Sequence, residues 1–329
     1  MTTLRWGVLG AANIARKQVI PAIQASNNGR VVGIASRDKA RAEQLAQAAS
    51  IGHVFDDYAA LLASDEIDAV YIPLPNSEHR AWTIAAAEAG KHILCEKPLA
   101  LTASEAEEMV AAAERAGVIL AEAFMYRHHP VVHTVLEMLH QGVIGELRVV
   151  RSTFTFNLSN EGDIRLSAPL GGGALMDVGC YGVNLARLVT GAEPLAGCGI
   201  ADYGSSGVDE SFVGALRFAP DGRAAVVAEV DVSVRAAGGT SYELIGTQGK
   251  IVVRQGFKPD ANEEGEIQLH QHGDVSRIFT DAVDQYRLMV EDFGKSVLLG
   301  RPLAYPAQDA VANMRVLDML RTAAEQARP

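Results

Sequence analysis

Apolar and polar positions along the first 120 residues follow two alternating rhythms. Short apolar runs rich in β-branched residues occur at 4–9, 31–35, 69–72, 92–95 and 118–121, and Ala-rich stretches with helical spacing lie between them at 39–48, 77–89 and 103–116. Gly90 and Gly117 stand just past two of these stretches, where a left-handed C-terminal residue is expected. Apolar strands alternating with helices predict an α/β unit built on a parallel sheet covered on both faces. In this doubly wound arrangement ligands bind beyond the carboxyl ends of the strands.

From about residue 123 the rhythm changes. A helix is predicted at 130–141, a strand at 146–157 and a glycine-initiated helix at 171–188. Strand runs at 212–218, 224–234, 241–246, 250–254 and 266–269, mostly separated by Gly or Asp-Gly turns, predict an antiparallel sheet. Helices at 281–299 and 307–327 close the chain. Two domains are therefore expected: a doubly wound α/β unit over 1–122, and an α+β unit over 123–329 with a large, mostly antiparallel open sheet. The last helix is free to pack back on the first domain. Apolar strands after residue 210 would leave a bare sheet face in a monomer, which hints at a homodimer or homotetramer formed through that sheet.

Composition narrows the function. A chain of 329 residues with 48% apolar side chains is too long for one ordinary core and too apolar for disorder. The net charge of −11, from 29 basic and 40 acidic residues, argues against a nucleic-acid binder and disfavours an anionic membrane surface. Three cysteines, Cys95, Cys180 and Cys198, make no disulfide framework and fit a reducing cytoplasm. No run approaches the ~18 apolar residues of a membrane span, and MTTLRWGVLG shows no secretory pattern.

The segment GVLGAANIA follows the first strand. Laid on G-x-G-x-x-G it supplies Gly10, Ala12 and Ala15, with Gly7 one turn earlier. Two glycines of that pattern are alanines, yet residues this small still let backbone amides approach a pyrophosphate at a helix N-terminus. The second strand ends in VVGIASRD, placing Ser36 and Arg37 where an acid would hold the ribose 2′-hydroxyl of NAD. A hydroxyl and a guanidinium suit the 2′-phosphate of NADP instead, so NADP is expected and NAD less so. Asp38 comes late enough to cap the next helix.

After the fourth strand, HILCEKPLALT puts Lys97 between Glu96 and Pro98, held extended by the proline at the ligand end of a buried strand. A lysine beside a ring that gains positive charge has a lowered proton affinity and can handle protons. Later, Asp177 and Tyr181 stand at i and i+4, on one face of a helix.

Together, GVLGAANIA, AVYIPLPNSEHR, CEKPLALT and GGGALMDVGCYGVN resemble the Gfo/Idh/MocA family of oxidoreductases over nearly the whole chain. The resemblance implies an N-terminal Rossmann domain and a C-terminal domain whose open sheet often forms a dimer interface. With EAFMYRHHP and a tyrosine at 181, where the family often has histidine, the chain is most similar to the NADP-dependent D-xylose 1-dehydrogenase and dimeric trans-dihydrodiol dehydrogenase groups. It implies hydride transfer between NADP and a sugar or cyclic polyol, best an aldose oxidised at the anomeric carbon. Alternatives are a dihydrodiol or keto-sugar substrate, or a non-catalytic NADP-binding regulator. Tyr181 would exchange the hydroxyl proton, Lys97 would tune it, and Asp177 would orient substrate or Tyr181. Cofactor contacts would come from Gly10, Ala12, Asn13, Ile14, Ser36, Arg37, Leu74, Pro75, Asn76, His79, Glu96, Lys97 and Arg127. Asn76 or Ser77 could equally cap a helix, and His79 could touch nicotinamide or substrate. Tyr126 and Arg165, with Asp177 and Tyr181, are the expected substrate side. His128, His129 and His133 lack a further ligand to complete a metal site, so no metal is expected.

Overall fold

The computed structural model describes residues 3–328. Its contacts group into two units: one is the chain up to Met125 together with Asp284–Val311, and the other is Tyr126–Val283 with the chain from Ala312 onward. The expected division at 122/123 assigned all of 281–299 to the second domain. The helix there instead groups with the first unit, because its apolar face and a polar anchor both find partners in it. Trp6 packs at 5.0 Å from Phe293, and Asn28 Nδ2 donates to the Glu291 carbonyl at 2.8 Å.

The first unit is a six-stranded parallel sheet. Its strands are β1 (Leu4–Leu9), β2 (Gly29–Ala35), β3 (His53–Val54), β4 (Ala69–Ile72), β5 (His92–Cys95) and β6 (Leu120–Glu122), in the spatial order β3-β2-β1-β4-β5-β6. This is the order of a dinucleotide-binding doubly wound sheet, with its switch point between β1 and β4. Strands β4 and β5 are buried on both faces, which is why they read as continuous apolar runs. The intervening helices are α1 (Ile20–Ala25), preceded by a π-helical turn over Ala15–Val19, α2 (Lys39–Ala48), α3 (Tyr58–Leu62), α4 (Asn76–Glu88) and α5 (Ala103–Ala116). Asp38, Asp57 and Thr102 cap α2, α3 and α5, each side chain accepting the backbone N–H three residues on, from Arg41, Ala60 and Glu105. Gly90 and Gly117 take the expected left-handed conformation, at φ +71° and +66°.

The second unit holds α6 (Pro130–His140) and an eight-stranded sheet. The strands are β7 (Leu147–Asn157), β8 (Pro194–Tyr203), β9 (Asp209–Phe218), β10 (Val226–Ser233), β11 (Arg235–Gly246), β12 (Lys250–Val253), β13 (Gly265–Gln271) and β14 (Asp274–Thr280). They run in the order β14-β13-β12-β11-β7-β10-β9-β8, all neighbours antiparallel except β10 with β7. One face packs under α7 (Cys180–Thr190), whose Gly182 lets the helix close on Ser152 and Val230. The expected helix over 171–188 begins later and opens with a π-helical turn, Leu175–Gly179. The chain closes with α8 (Gln285–Leu299) in the first unit and α9 (Ala307–Gln326), which starts in the first and ends in the second.

Trp6→Ala removes a fully buried indole and its contact with α8. It should cost about 3–5 kcal/mol in a urea melt; an unchanged midpoint would contradict the placement of α8.

Candidate active site

In the first unit, the expected cofactor residues gather at the carboxyl ends of the parallel strands. Gly10 takes φ +113°, a conformation that side chains avoid, and its N–H donates to the Ala35 carbonyl at 2.7 Å, tying the first turn to the end of β2. A Cβ at Gly10 would stand 3.0 Å from Leu74 Cδ2. Behind it Ala12 is half-buried, Asn13 exposed, Ile14 half-buried and Ala15 fully buried. The loop after β2 leaves Ser36 half-buried and Arg37 exposed. Asp38 is committed elsewhere: its Oδ1 accepts the Arg41 N–H at 3.0 Å as the cap of α2.

The turns after β4 and β5 are fastened to one another. His79 is fully buried on α4, with Nε2 2.9 Å from the Leu74 carbonyl and Nδ1 3.0 Å from the Pro98 carbonyl. Burial lowers its proton affinity, so the neutral ring donates to one carbonyl and stands against the other. The sequence placed His79 at a crevice edge as a nicotinamide or substrate contact. That expectation is corrected, since both nitrogens face backbone and no ring atom reaches solvent. Pro75 and Asn76 are half-buried, and Asn76 is the first residue of α4, preceded by Pro75 rather than by a side-chain cap. Glu96 Oε1 accepts the Tyr71 hydroxyl at 2.6 Å, and Leu99 N–H donates to Glu122 Oε1 at 2.8 Å. Burial, reinforced by Glu96, pushes the Tyr71 phenol well above its ordinary pKa, so it stays a donor. Lys97 is half-buried between this anchored glutamate and Pro98, and its N–H lies 3.3 Å from Glu96 Oε2.

In the second unit, Asp177 lies in the π-helical turn and Tyr181 in the first turn of α7. Such turns insert one residue into the ladder and recur at functional positions. Asp177 Oδ2 accepts Arg165 Nε at 2.6 Å, and Arg165 Nη1 reaches Asp163 at 3.2 Å. The Asp177 carboxylate raises the guanidinium further above its ordinary pKa. Arg165, expected as a substrate-side cation, is thus bound by two carboxylates. The turn itself is held by Asp209, whose Oδ2 accepts the Leu175 N–H at 2.6 Å.

The buried Tyr181 ring sits in an aromatic cage. Phe154, Phe257 and Tyr126 stand 5.3, 5.6 and 5.8 Å away, centroid to centroid. Tyr126 was expected to face a cleft; it is fully buried, and its hydroxyl donates to Asn184 Oδ1 at 2.6 Å. Arg127, also buried, donates to the same oxygen through Nε at 2.7 Å. Sequence reasoning did not single out Asn184 or Asp209, although Asn184 stands one turn beyond Tyr181 on the same helix.

Burial drives His128 down to about 3 and His129 to about 4, so both are neutral at ordinary pH. His129 caps α6 through Nδ1. Among the described residues no group of three or more His, Cys, Asp or Glu could hold a metal, and no helix is long and apolar enough to cross a membrane.

Comparison with known proteins places both halves. A family model described as the GFO/IDH/MocA oxidoreductase family with an NAD-binding Rossmann fold matches residues 4–124, and the GFO/IDH/MocA C-terminal domain matches 132–252. The chain is 38% identical to a D-xylose 1-dehydrogenase (NADP(+)) of Haloferax volcanii, over 98% of each chain. It is 34% identical to a dTDP-3,4-didehydro-2,6-dideoxy-α-D-glucose 3-reductase of Actinomadura kijaniata, over 98% of this chain and 96% of that one. The crystal structure of a 3-ketoreductase from A. kijaniata with NADP and TDP-benzene superposes with a TM-score of 0.92 at 32% identity, covering 98% of both chains.

Burial raises Asp209 from an ordinary 3.8 to about 6. The folded chain therefore keeps a proton that the unfolded chain has released, and the associated stability, complete below about pH 4, is lost as pH rises through 6. Calorimetric melting of Asp209→Asn against the parent should diverge over that window. Parallel pH profiles would contradict the assignment.

Proposed function

The chain belongs to the Gfo/Idh/MocA family of oxidoreductases, and we propose that it is an NADP-dependent dehydrogenase acting on a sugar hydroxyl, best an aldose at its anomeric carbon. The first unit binds the dinucleotide, and the second supplies substrate contacts and the subunit interface. The observation that carries this reading is the half-buried acid and buried phenol of one helix start, Asp177 paired to Arg165 and Tyr181 caged by three aromatic rings.

The residues at the ends of β1 and β2 fit NADP. The left-handed Gly10 turn and the small Ala12 leave room for a pyrophosphate over the amides that start the first helix. At the end of β2 the nearby acid, Asp38, is used as a cap, whereas Arg37 is exposed for a 2′-phosphate. The bound cofactor supplies the hydride chemistry. The chain's own residues orient the substrate and manage its proton. Tyr181 Oη takes the proton of the reacting hydroxyl on oxidation and returns it on reduction; Lys97 lowers the cost of the phenolate by its charge. Asp177, its carboxylate direction fixed by Arg165, orients the substrate hydroxyls.

A keto-sugar reductase is the second reading, favoured by the likeness to the 3-ketoreductase of A. kijaniata. That enzyme has also been crystallised with a tyrosine changed to phenylalanine and with a lysine changed to alanine, the two residue types given the proton here. An uncharged sugar is nevertheless preferred over a nucleotide sugar. Next to Asp177 the Arg165 guanidinium is already held by Asp163 and Asp177, so a diphosphate on the substrate side would meet carboxylates there.

A second copy of the chain as the cover for the open sheet face belongs to the same proposal. Ile200, Val213, Val227, Val275 and Phe279 are exposed on that face. Across its middle runs the row Glu229–Arg151–Glu243, paired at 3.4 and 3.9 Å. A homodimer, or a homotetramer built from it, buries these apolar side chains. A cytoplasmic location accords with the sparse thiols of Cys95, Cys180 and Cys198.

A screen of NADP and NAD against aldoses, polyols and diols should give the highest kcat/KM with NADP and an aldose. Tyr181→Phe should leave NADP affinity intact and lower kcat by about 10²–10⁴-fold; unchanged turnover removes Tyr181 from the mechanism. Arg37→Glu should reverse the preference toward NAD, and an unaltered NADP/NAD ratio would show that the 2′-phosphate is held elsewhere.

A further inference from the structure

We propose that Asn184 is a positioning residue for this reaction, whose single side-chain oxygen fixes both Arg127 and Tyr126. The inference rests on the proposal above, with Arg127 as a cofactor contact and Tyr181 as the group that carries the proton.

Asn184 is fully buried on α7, three residues beyond Tyr181. Its Oδ1 accepts the Tyr126 hydroxyl at 2.6 Å and Arg127 Nε at 2.7 Å, which uses both lone pairs of the amide oxygen. The amide cannot be turned over, because its NH₂ would then face two donors. Asn184 Nδ2 is buried without a hydrogen-bond partner. That orphan donor costs stability, but an apolar side chain here would strand two buried donors instead, the Tyr126 hydroxyl and the charged Arg127 guanidinium. The oxygen is therefore what the site requires of this residue.

Both tethered residues come from one short 3₁₀ turn, Met125–His128, so a single acceptor orients the whole turn. With Nε held, the plane of the Arg127 guanidinium cannot swing, which fixes the direction of its terminal nitrogens. With its hydroxyl held, the Tyr126 ring keeps its place 5.8 Å from Tyr181 and 5.3 Å from Phe257. Asn184 thereby links the residue given to the cofactor with the cage around the residue given the proton.

The test uses the full-length enzyme. NADPH binding is read by fluorescence titration, kcat and KM by steady-state kinetics, and Tm by calorimetry. Asn184→Ala, and Asn184→Leu, which keeps the volume but not the oxygen, should each weaken NADPH binding about tenfold or more and lower kcat. Asn184→Asp retains an acceptor oxygen for both donors and should restore binding to within about threefold of the parent. Folded Ala or Leu variants with a lowered Tm but unchanged binding and turnover would overturn the proposal. So would an Asp variant as impaired as Leu. Arg127→Ala separates the two levels. If it leaves NADPH binding unchanged, the assignment of Arg127 to the cofactor fails; if it weakens binding while Asn184→Leu does not, the positioning role of Asn184 fails.

Discussion

A carboxylate taken out of water must be paired, and the ends of the strands and helices in this chain are arranged around that requirement. Asp177, partly withdrawn from water, is one case. Its carboxylate is bound by Arg165, Arg165 is braced by Asp163, and the turn that carries Asp177 is held by Asp209 at the Leu175 amide. Asp163 and Asp177 are only partly buried and Arg165 is more than a third exposed, so the pairing fixes the direction of the Asp177 carboxylate more than it stabilises the fold. The first unit meets the same demand with neutral donors: Tyr71 serves Glu96, and the Leu99 amide serves Glu122. In both units a side chain proposed for chemistry stands beside a group whose geometry has been fixed by pairing.

Rigidity on this scale is what proton transfer needs, because a displaced donor loses rate steeply with distance. His79 fills the space between the Leu74 carbonyl after β4 and the Pro98 carbonyl just beyond Lys97, donating to one of them and packing the two turns together. The aromatic rings around Tyr181 exclude water and leave the phenol oxygen as the polar end of an apolar side chain. The π-helical turn ahead of Tyr181 alters the angular relation between it and Asp177 compared with an unbroken α-helix.

The parallel half of the fold was legible where burial on both faces left an uninterrupted apolar run: β1, β4 and β5 were expected at the residues they occupy. The cap at Asp38 and the left-handed Gly90 and Gly117 were legible because local chemistry alone decides them. Three strands were not. β3 is a two-residue edge, β8 carries a single β-branched residue, Ile200, among Pro, Ala, Gly and Cys, and β14 is polar and exposed over most of its length. Their pairing is set by neighbours far away in the chain. The site divides in the same way. Asp177 and Tyr181 could be found by their spacing, whereas the roles of His79, Asn184 and Asp209 depend on partners 19, 57 and 34 residues away. A histidine beside a strand end reads as a ligand contact until both nitrogens are found on backbone carbonyls.

Isotope transfer tests the central claim most directly. An aldose carrying deuterium at C1 is incubated with the enzyme and NADP, and cofactor and sugar products are examined by NMR. Direct transfer predicts deuterium at C4 of the reduced nicotinamide and a lactone as the sugar product. Reduced cofactor without the label, or no reduction with any aldose, would contradict it.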